Sequence, residues 1–566
     1  MRTHNRFATT LATLGVVVAL ALGGCASIPN SGPVKQGGAI AQGNQPLDLD
    51  FNPSPPSKGA SQDDLLHGFI DAASSPRNGY AIAREYLTPR LASRWNPDAS
   101  VTVDRGTGRS YVETAASTWQ VAVTPQATVD NIGGYHQATS SAVVSLRYQF
   151  EKVGSEWRIS LAPNGIVLDS STFNSVFGPQ NLYFFSPNFQ YLVPDQRWFP
   201  ARASTATRIT KALLAGPSKW LGGAVVSAFP TGTQLRVDAV TTSNNQAQLD
   251  LTAEAGQANT LTLERMKYQL TESLSTQVSS VQLSIEGTAQ SINALSDADT
   301  PSMNQPVDSH PLVYRDSAFG LLTGSTVSQI PGISAKVAPL HPTAASLTAN
   351  RQSAAALNTA GVYAIRADSD AATLVDDRPG LISPAIDNYG FIWTVPANAP
   401  GELRVTGADG QPRDVKTNWP VATQISSLEV SRDGTRVIAL IRTGDDWALV
   451  AAGIDRSTDE APTGLAVPLV LSLDTTSPVS ATWVDSLTVA VLGQSENGAT
   501  SVDEQQIGGT LTTVAGPVAG QTIVGSGGVV TYLVLTSSGS LQAPAGAGWQ
   551  AQSEKVVLVG TQMGLP

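Results

Sequence analysis

The chain has 566 residues, a formal net charge of −11 and a single cysteine. Hydrophobic residues make up 41% of it and charged residues 14%, with 50 glycines and 35 prolines, which indicates about three or four globular, turn-rich domains that lean towards β-structure. The acidic balance without a Lys/Arg run argues against nucleic acid as a partner and against electrostatic adhesion to anionic lipid.

The N-terminus has the pattern of a secretory signal. Arg2 and Arg6 precede an uncharged apolar run at 11–22, which is shorter than the roughly 20 residues of a membrane-spanning helix. Cys25 follows two glycines, an arrangement that resembles the bacterial lipobox, although Gly23 departs from the usual Ala or Ser. The resemblance implies a signal peptide at 1–24 and a diacylglyceryl anchor on Cys25 at the extracytoplasmic face of the cell membrane. The alternative is an ordinary secreted protein with an unmodified cysteine.

Residues 25–60 are rich in Gly, Pro, Ser and Asn and are predicted to form a lipidated tether, with an ordered arm near Phe51 as the alternative. A first domain is predicted at 61–175. Ser61 is a candidate N-cap followed by helical apolar spacing, and a second helix is predicted from Asn78 until Pro89 ends it. Strands are predicted at 142–150 and 157–161. This α+β pattern is compatible with a nuclear-transport-factor-2-like fold.

A second α+β domain is predicted at 183–288, because the period of the apolar residues switches in the order α-β-β-α-β. Ser204 is expected to cap the first helix, and Gly216 to end it. Strands are predicted at 235–239 and 247–253, with a turn at 243–245 between them. The second helix carries an apolar stripe that includes Met266, which we interpret as core, and a strand at 281–285 follows.

Residues 310–566 are predicted to form a β-propeller. Segments of similar pattern recur around Asp387, Asp433 and Asp485, which lie 46 and 52 residues apart, close to the length of one four-stranded blade. This gives about five or six blades, with a pair of β-sandwiches as the alternative. We interpret the three aspartates as residues that bond their own turn backbone, in preference to metal ligands.

The order of these segments is identified as that of the LpqB lipoprotein family of actinobacteria, which joins a lipobox, an N-terminal domain, a GerMN domain and a β-propeller. The resemblance covers essentially the whole chain. It makes the fold class multidomain: two α+β domains, the second GerMN-like, followed by an all-β propeller behind a lipoprotein signal and tether. The segments that carry it are CASIPNSGPV at 25–34, HGFIDAASSPRNGYAIAREYLTP at 67–89, LLAGP at 213–217, AFPTGTQL at 228–235, QLDLTAEA at 248–255 and VQLSIEG at 281–287.

The sequence contains no recognisable catalytic, cofactor or metal motif. The histidines at positions 4, 67, 136, 310 and 341 lie far apart, outside any zinc or metalloprotease spacing, and no nucleophile elbow or phosphate loop is present. The acid pairs 63–64 and 376–377 are interpreted as solvated charges. We therefore expect no enzyme activity, no cofactor and no metal, although glycosidase carboxylates leave no local signature.

Two functions remain open. The family resemblance implies a modulator of a two-component system of the MtrA–MtrB kind, which contacts the ectodomain of the sensor kinase and affects cell-wall homeostasis and cell division. The alternative is a protein that binds wall glycan or a small ligand, or a weak glycan hydrolase. Tryptophans of the propeller would stack on sugars in that alternative, but such residues more often fill gaps between blades. They are at positions 393, 447, 483 and 549.

Overall fold

A computed structural model describes residues 53–138, 141–202, 204–419, 421–494, 499–528 and 530–564. The predicted signal peptide and Cys25 lie outside the described residues. None of the helices in the described ranges is long and apolar enough to cross a membrane.

The N-terminal domain packs helices against two four-stranded sheets. Helix α1 (Gln62–Ala72) begins with the predicted cap, because the Ser61 side chain accepts from Asp64 N and the Asp64 carboxylate accepts from Ser61 N. Its buried residues and those of both sheets form one core. The remaining elements are α2 (Ala81–Glu85), α3 (Pro89–Ala92), β1 (Ser100–Asp104), β2 (Ser110–Ala115), β3 (Thr118–Val123), β4 (Pro125–Asp130), β5 (Tyr135–Gln137), β6 (Val144–Val153), β7 (Glu156–Leu161), β8 (Ile166–Asp169) and α4 (Ser170–Val176). The strand orders in the two sheets are β5-β4-β1-β8 and β2-β3-β6-β7.

The predicted second helix of this domain is wrong in its extent. Asn78 and Tyr80 adopt left-handed backbone conformations, with φ of 48° and 63°, so α2 begins only at Ala81. Pro89 does not end a helix but occupies the first turn of α3, which Thr88 caps. The predicted strands are confirmed as β6 and β7, joined by a tight turn at Gly154.

A long hairpin that the sequence analysis does not predict joins the first two domains. It consists of β9 (Phe177–Phe185) and β10 (Leu192–Pro200), and all nine residues of β10 are buried. Phe177 and Trp198 at one end belong to the N-terminal core, whereas Phe184 and Leu192 at the other end belong to the core of the second domain. The hairpin therefore belongs to both hydrophobic cores.

The second domain contains the predicted helices and most of the predicted strands. Met266 is completely buried, as expected of core. Asn244 and Asn245 form the predicted turn with φ of 50° and 59°. The predicted strand at 235–239 is wrong: Leu235 makes only an isolated bridge to Leu251, and the Val237 side chain is 53% exposed. The elements are α5 (Thr205–Ala215), β11 (Thr241–Ser243), β12 (Gln246–Leu251), α6 (Thr260–Ser273), β13 (Ser280–Ile285) and β14 (Thr288–Ala289).

Ser204 precedes α5 as predicted, but its side chain makes no capping bond. Gly216 lies at the C-terminal end of α5, as expected, with φ of 97°.

The C-terminal part is a propeller of six blades. β39, at the C-terminal end of the chain, pairs antiparallel with β15 and parallel with β18, so it completes the first blade as its innermost strand and closes the ring. The described strands are β15 (Leu312–Arg315), β16 (Ala318–Thr323) and β17 (Thr326–Ser328) with β39 (Val556–Gln562) in blade 1; β18 (Ala344–Leu347), β19 (Ser353–Asn358), β20 (Gly361–Arg366) and β21 (Thr373–Asp376) in blade 2; β22 (Ala385–Ile386), β23 (Ile392–Thr394), β24 (Arg404–Thr406) and β25 (Pro412–Asp414) in blade 3; β26 (Gln424–Val430), β27 (Arg436–Thr443), β28 (Asp446–Arg456), β29 (Pro462–Leu465) and β30 (Leu469–Leu471) in blade 4; β31 (Ser477–Trp483), β32 (Thr488–Gln494), β33 (Thr500–Gln506) and β34 (Leu511–Ala515) in blade 5; and β35 (Gly520–Gly525), β36 (Tyr532–Thr536), β37 (Leu541–Ala545) and β38 (Gly548–Ser553) in blade 6. A short helix α7 (Ser334–Val337) lies between blades 1 and 2.

The second domain and the propeller share one hydrophobic core, which continues from the α5–α6 layer into blades 4 and 5. A turn at Lys219–Ala224 packs on β28, and Gly453 permits this approach, since a Cβ atom there would lie 2.1 Å from Leu221 O. Gly223 N donates to the Asp455 carboxylate at 3.0 Å. Because one hydrophobic core runs through both, the second domain and the propeller pack together as one unit.

The hairpin also reaches the propeller. Trp198 Nε1 donates to Gly508 O at 2.8 Å in the turn between β33 and β34. Beside it, Asp195 and Arg197 form an ion pair of 2.7 Å with both side chains almost fully buried. Asp195 also accepts from Ser218 N and Oγ, and Arg197 donates to Ile132 O of the first domain. β10 therefore contacts all three domains.

Candidate functional site

The tether joins the described structure at Pro53. The last eight residues of the predicted tether, 53–60, lie against the N-terminal domain: Tyr86 Oη donates to Ser54 O at 2.8 Å, and Gly59 N donates to the Glu156 carboxylate at 2.7 Å. The ordered-arm alternative therefore describes this last part of the segment. Cys25 itself stays a prediction.

A small cavity lies in the central channel of the propeller. The innermost strands of several blades line it, with Glu429 and Thr482 among their residues, and its volume of about 20 Å³ holds about one water molecule. Glu429 Oε2 accepts from Trp483 N at 3.0 Å and from Thr482 Oγ1 at 3.1 Å. Thr482 Oγ1 in turn accepts from Gly525 N at 2.8 Å. This chain of bonds joins the inner strands of blades 4, 5 and 6.

Withdrawal from water raises the pKa of the Glu429 carboxyl to about 7, against the opposing effects of its hydrogen bonds and of the nearby Arg432 guanidinium. Burial also lowers the pKa of Arg432. Neither residue is predicted as a site residue from the sequence. The one sequence feature that could have indicated Glu429 is its position between Leu428 and Val430, which places an acid within a predicted apolar strand.

The chain itself closes one mouth of the channel. The segment that connects the second domain to the propeller crosses this mouth: Asn304 accepts from Ser486 Oγ at 2.5 Å, and Asp308 pairs with Arg351. Val307 and Met563 line the cavity and are 4% and 7% exposed. A ligand approaching this mouth would therefore meet the connecting segment and the C-terminal residues before it met Glu429.

Two of the four tryptophans considered for sugar stacking are buried inside the propeller, and the other two are half-buried. Trp393 and Trp483 are 1% and 2% exposed, and their indole N–H groups donate to Asp387 and to Glu429 O. Trp447 packs against the shared core, and Trp549 donates to Ala515 O at 2.9 Å. The gap-filling interpretation is confirmed for Trp393 and Trp483.

The three turn aspartates bond their own turns as predicted. Asp387 Oδ1 accepts from Tyr389 N and Phe391 N, and Asp485 Oδ1 accepts from Leu487 N and Thr488 N. Asp433 also accepts from Thr435 N and pairs with Arg436, and Asp387 pairs with Arg456 of the next blade at 2.9 Å. Within the described ranges, no group of three or more His, Cys, Asp or Glu side chains has a geometry that could hold a metal ion.

The described histidines lie at separate places and have different partners. His67 is exposed on α1 and stacks on Tyr111 with ring centroids 3.7 Å apart. The others contact Asp130 (His136), Asp308 (His310) and Tyr314 Oη (His341).

The interpretation of the acid pairs as solvated charges is wrong for Asp376, whereas Asp64 is exposed as predicted. Asp376 is 8% exposed and binds the Arg378 guanidinium and Thr394 Oγ1, and these partners lower its pKa. Asp64 closes the cap of α1.

Three family models match the chain in order. They are described as the N-terminal domain of lipoprotein LpqB at 55–174, sporulation and spore germination at 181–291, and the LpqB beta-propeller domain at 316–558. Among solved structures, TolB from Acinetobacter baumannii matches 38% of this chain and 57% of its own at 12% identity, with a TM-score of 0.31, which is too low to support any conclusion.

Two curated relatives match over nearly the full length, and a third matches over part of it. Lipoprotein LpqB of Thermobifida fusca is 27% identical over 592 residues, which cover 91% of this chain and 92% of the relative. LpqB of Streptomyces avermitilis is 25% identical over 96% of both chains, and LpqB of Cutibacterium acnes is 34% identical over 39% of this chain and 38% of its own. With three family models in the expected order and relatives of matching length, this chain belongs to the LpqB lipoprotein family.

Proposed function

We propose that this protein is a lipid-anchored, non-enzymatic accessory protein of a two-component system, which contacts the ectodomain of a sensor kinase outside the cytoplasmic membrane. Through that contact it modulates phosphorylation of the response regulator and so affects cell-wall homeostasis and cell division. The observation that carries the proposal is the match to LpqB lipoproteins over 91% of the chain, which extends to every described domain.

The packing of the chain supports a role through surface contact. The hairpin β9–β10 and the shared core tie the three domains together, so a partner bound at one domain meets a rigid body. The central cavity holds about one water molecule and is covered on one side by the connecting segment, and two of the four candidate sugar-stacking tryptophans, Trp393 and Trp483, are buried inside the blades. These features favour recognition by an outer surface over binding of a glycan in the channel.

The test is photo-cross-linking in living cells followed by mass spectrometry of purified membranes. A photoreactive residue is placed at one exposed position in each domain: Glu113 in the first, Asp238 in the second and Leu374 in the propeller. We avoid truncating the propeller, because the second domain would lose part of its core. Capture of a sensor-kinase ectodomain from any of the three positions supports the proposal. Capture of wall material alone, or of no kinase, contradicts it.

A further inference from the structure

The propeller has one covered face and one open face. On the covered face, the turns between the first and second strands of the blades contact the second domain and the connecting segment. Asn188 Nδ2 donates to Tyr389 Oη, and Ser486 Oγ donates to Asn304 Oδ1. Because strand direction alternates within each blade, the connections from one blade to the next emerge on the opposite face. We call this the open face.

The open face carries the two most exposed large apolar side chains of the described chain. Val421, on the connection between β25 and β26, is 86% exposed, and Val518, on the connection between β34 and β35, is 89% exposed. Val479 and Val557, near the starts of the inner strands β31 and β39, are 41% and 63% exposed at the same end of the channel. Apolar groups gathered on one face of a soluble domain are typical of a protein-binding surface.

Both connections are held in place by hydrogen bonds. Beside Val421, Trp419 Nε1 donates to Pro400 O at 3.1 Å and Asn418 Nδ2 donates to Leu465 O at 2.6 Å. Val518 is at the tip of a turn in which Gly520 N donates to Pro517 O, and Ala519 adopts a left-handed φ of 58°. Since a non-glycine residue resists this conformation, the surrounding bonds must impose it. The turn that carries Val518 is therefore held in one conformation, which lowers the entropy lost on binding.

The net charge of the propeller indicates the charge that a partner of the open face should carry. Residues 53–290 contain eighteen lysines and arginines and eighteen acids, whereas residues 310–566 contain thirteen and twenty-two, so the propeller alone has a net charge of −9. The turns between the second and third strands of each blade emerge on the same face, and together with the blade-to-blade connections their described parts expose six acids against two lysines, Lys416 and Lys555. The acids are Asp316, Asp377, Glu402, Asp445, Asp474 and Glu554. A surface of this charge is repelled by anionic lipid and attracts a cationic protein.

We infer that the open face of the propeller is the docking surface for a protein ectodomain with a positively charged surface and a small apolar depression that receives Val421 or Val518. The inference rests on the proposed function for the identity of that ectodomain, the sensor kinase, but not for the location of the surface. On binding, the valine side chains are buried against the ectodomain and lose their contact with water. The acids attract the positively charged ectodomain and orient it as it approaches.

The first experiment measures the affinity of the purified full-length protein for the purified ectodomain of the host's sensor kinase. The test variant is Val421→Ser/Val518→Ser. The matched control is Val112→Ser/Val237→Ser, which changes valines that are 51% and 53% exposed in the other two domains. We expect the test variant to bind about tenfold more weakly or worse, the control to bind as the wild type, and added salt to weaken the wild type. Equal affinity of both variants would overturn the docking surface and leave the proposed function standing.

The second experiment distinguishes failure of the surface from failure of the proposed function. A photoreactive residue at 421 or 518 is cross-linked in cells, and its products are identified by mass spectrometry. If the kinase ectodomain does not bind but these positions capture another ectodomain that presents a basic surface, the docking surface is supported and the proposed function is wrong. Capture of a second copy of this chain, of lipid or of no protein would overturn the docking surface.

Discussion

At the scale of single residues, Glu429 is an acid whose pKa is raised by burial, to about 7. Its carboxylate accepts two hydrogen bonds from β31 and so joins the inner strands of blades 4 and 5. Its pKa of about 7 lies well above the ordinary value of 4.5, so the native state holds a proton there that the unfolded chain releases. Where the native state binds more protons, stability falls as pH rises.

We therefore expect the propeller to lose stability between about pH 4.5 and pH 7, by roughly 3 kcal/mol for this one group. Glu429→Gln keeps an acceptor for Trp483 N and removes the titration, so its free energy of unfolding should show a smaller fall over this range. Urea unfolding followed by tryptophan fluorescence at several pH values measures the difference. Glu113→Gln, at an exposed position on β2, should keep the wild-type dependence. Parallel pH profiles for wild type and Glu429→Gln would contradict the assignment.

The buried ion pair of β10 gives a second prediction at this scale. Asp195→Ala leaves the Arg197 guanidinium almost fully buried without its carboxylate, and removing one partner of such a pair costs about 3–5 kcal/mol. Asp238→Ala breaks the Lys211–Asp238 contact of 2.6 Å, whose side chains are 48% and 82% exposed, and should cost less than about 1 kcal/mol. Denaturant unfolding compares the two variants. Similar losses would show that the β10 pair does not hold the junction.

At the scale of elements, the junction of the second domain with the propeller depends on close backbone approach. The turn at Lys219–Ala224 reaches β28 where Gly453 has no side chain. This contact lies within the shared core, so its disruption affects two domains together.

Gly453→Ala should destabilise the protein by about 1–3 kcal/mol, because its Cβ atom would press on Leu221 O, a backbone atom that cannot rotate away. Gly401→Ala is the matched control, since nothing lies within 4 Å of a Cβ atom there. Thermal unfolding of both variants tests this, and hydrogen exchange of the turn at 219–224 locates the effect. Unchanged stability and exchange in Gly453→Ala would rule out the proposed tight contact.

Elements defined by local chemistry could be predicted from the sequence, and those defined by distant contacts could not. The cap at Ser61 and the stripe around Met266 involve residues three or four apart, and both are confirmed. The helix predicted from Asn78 failed because a left-handed backbone interrupts a favourable apolar spacing. The hairpin β9–β10 and the closing strand β39 depend on packing between domains and between chain ends, which leaves no local pattern.

At the scale of the whole molecule, membrane attachment is predicted to depend on one residue outside the described ranges. The chain has no other cysteine and a net negative charge, so a lipid on Cys25 is the expected anchor. Cys25→Ala should leave the folded domains unchanged and release the protein from the membrane, as fractionation after a high-salt wash would show. A variant that stays fully bound would disprove the lipid anchor.

The most direct test of the central proposal is phosphorylation in a reconstituted system. Full-length sensor kinase in lipid vesicles is combined with its response regulator, and the lipoprotein is added on the side of the ectodomain. We expect the rate of regulator phosphorylation to change and to saturate with added lipoprotein, and an excess of free kinase ectodomain to reverse the effect. An unchanged rate at every lipoprotein concentration would contradict the proposed function.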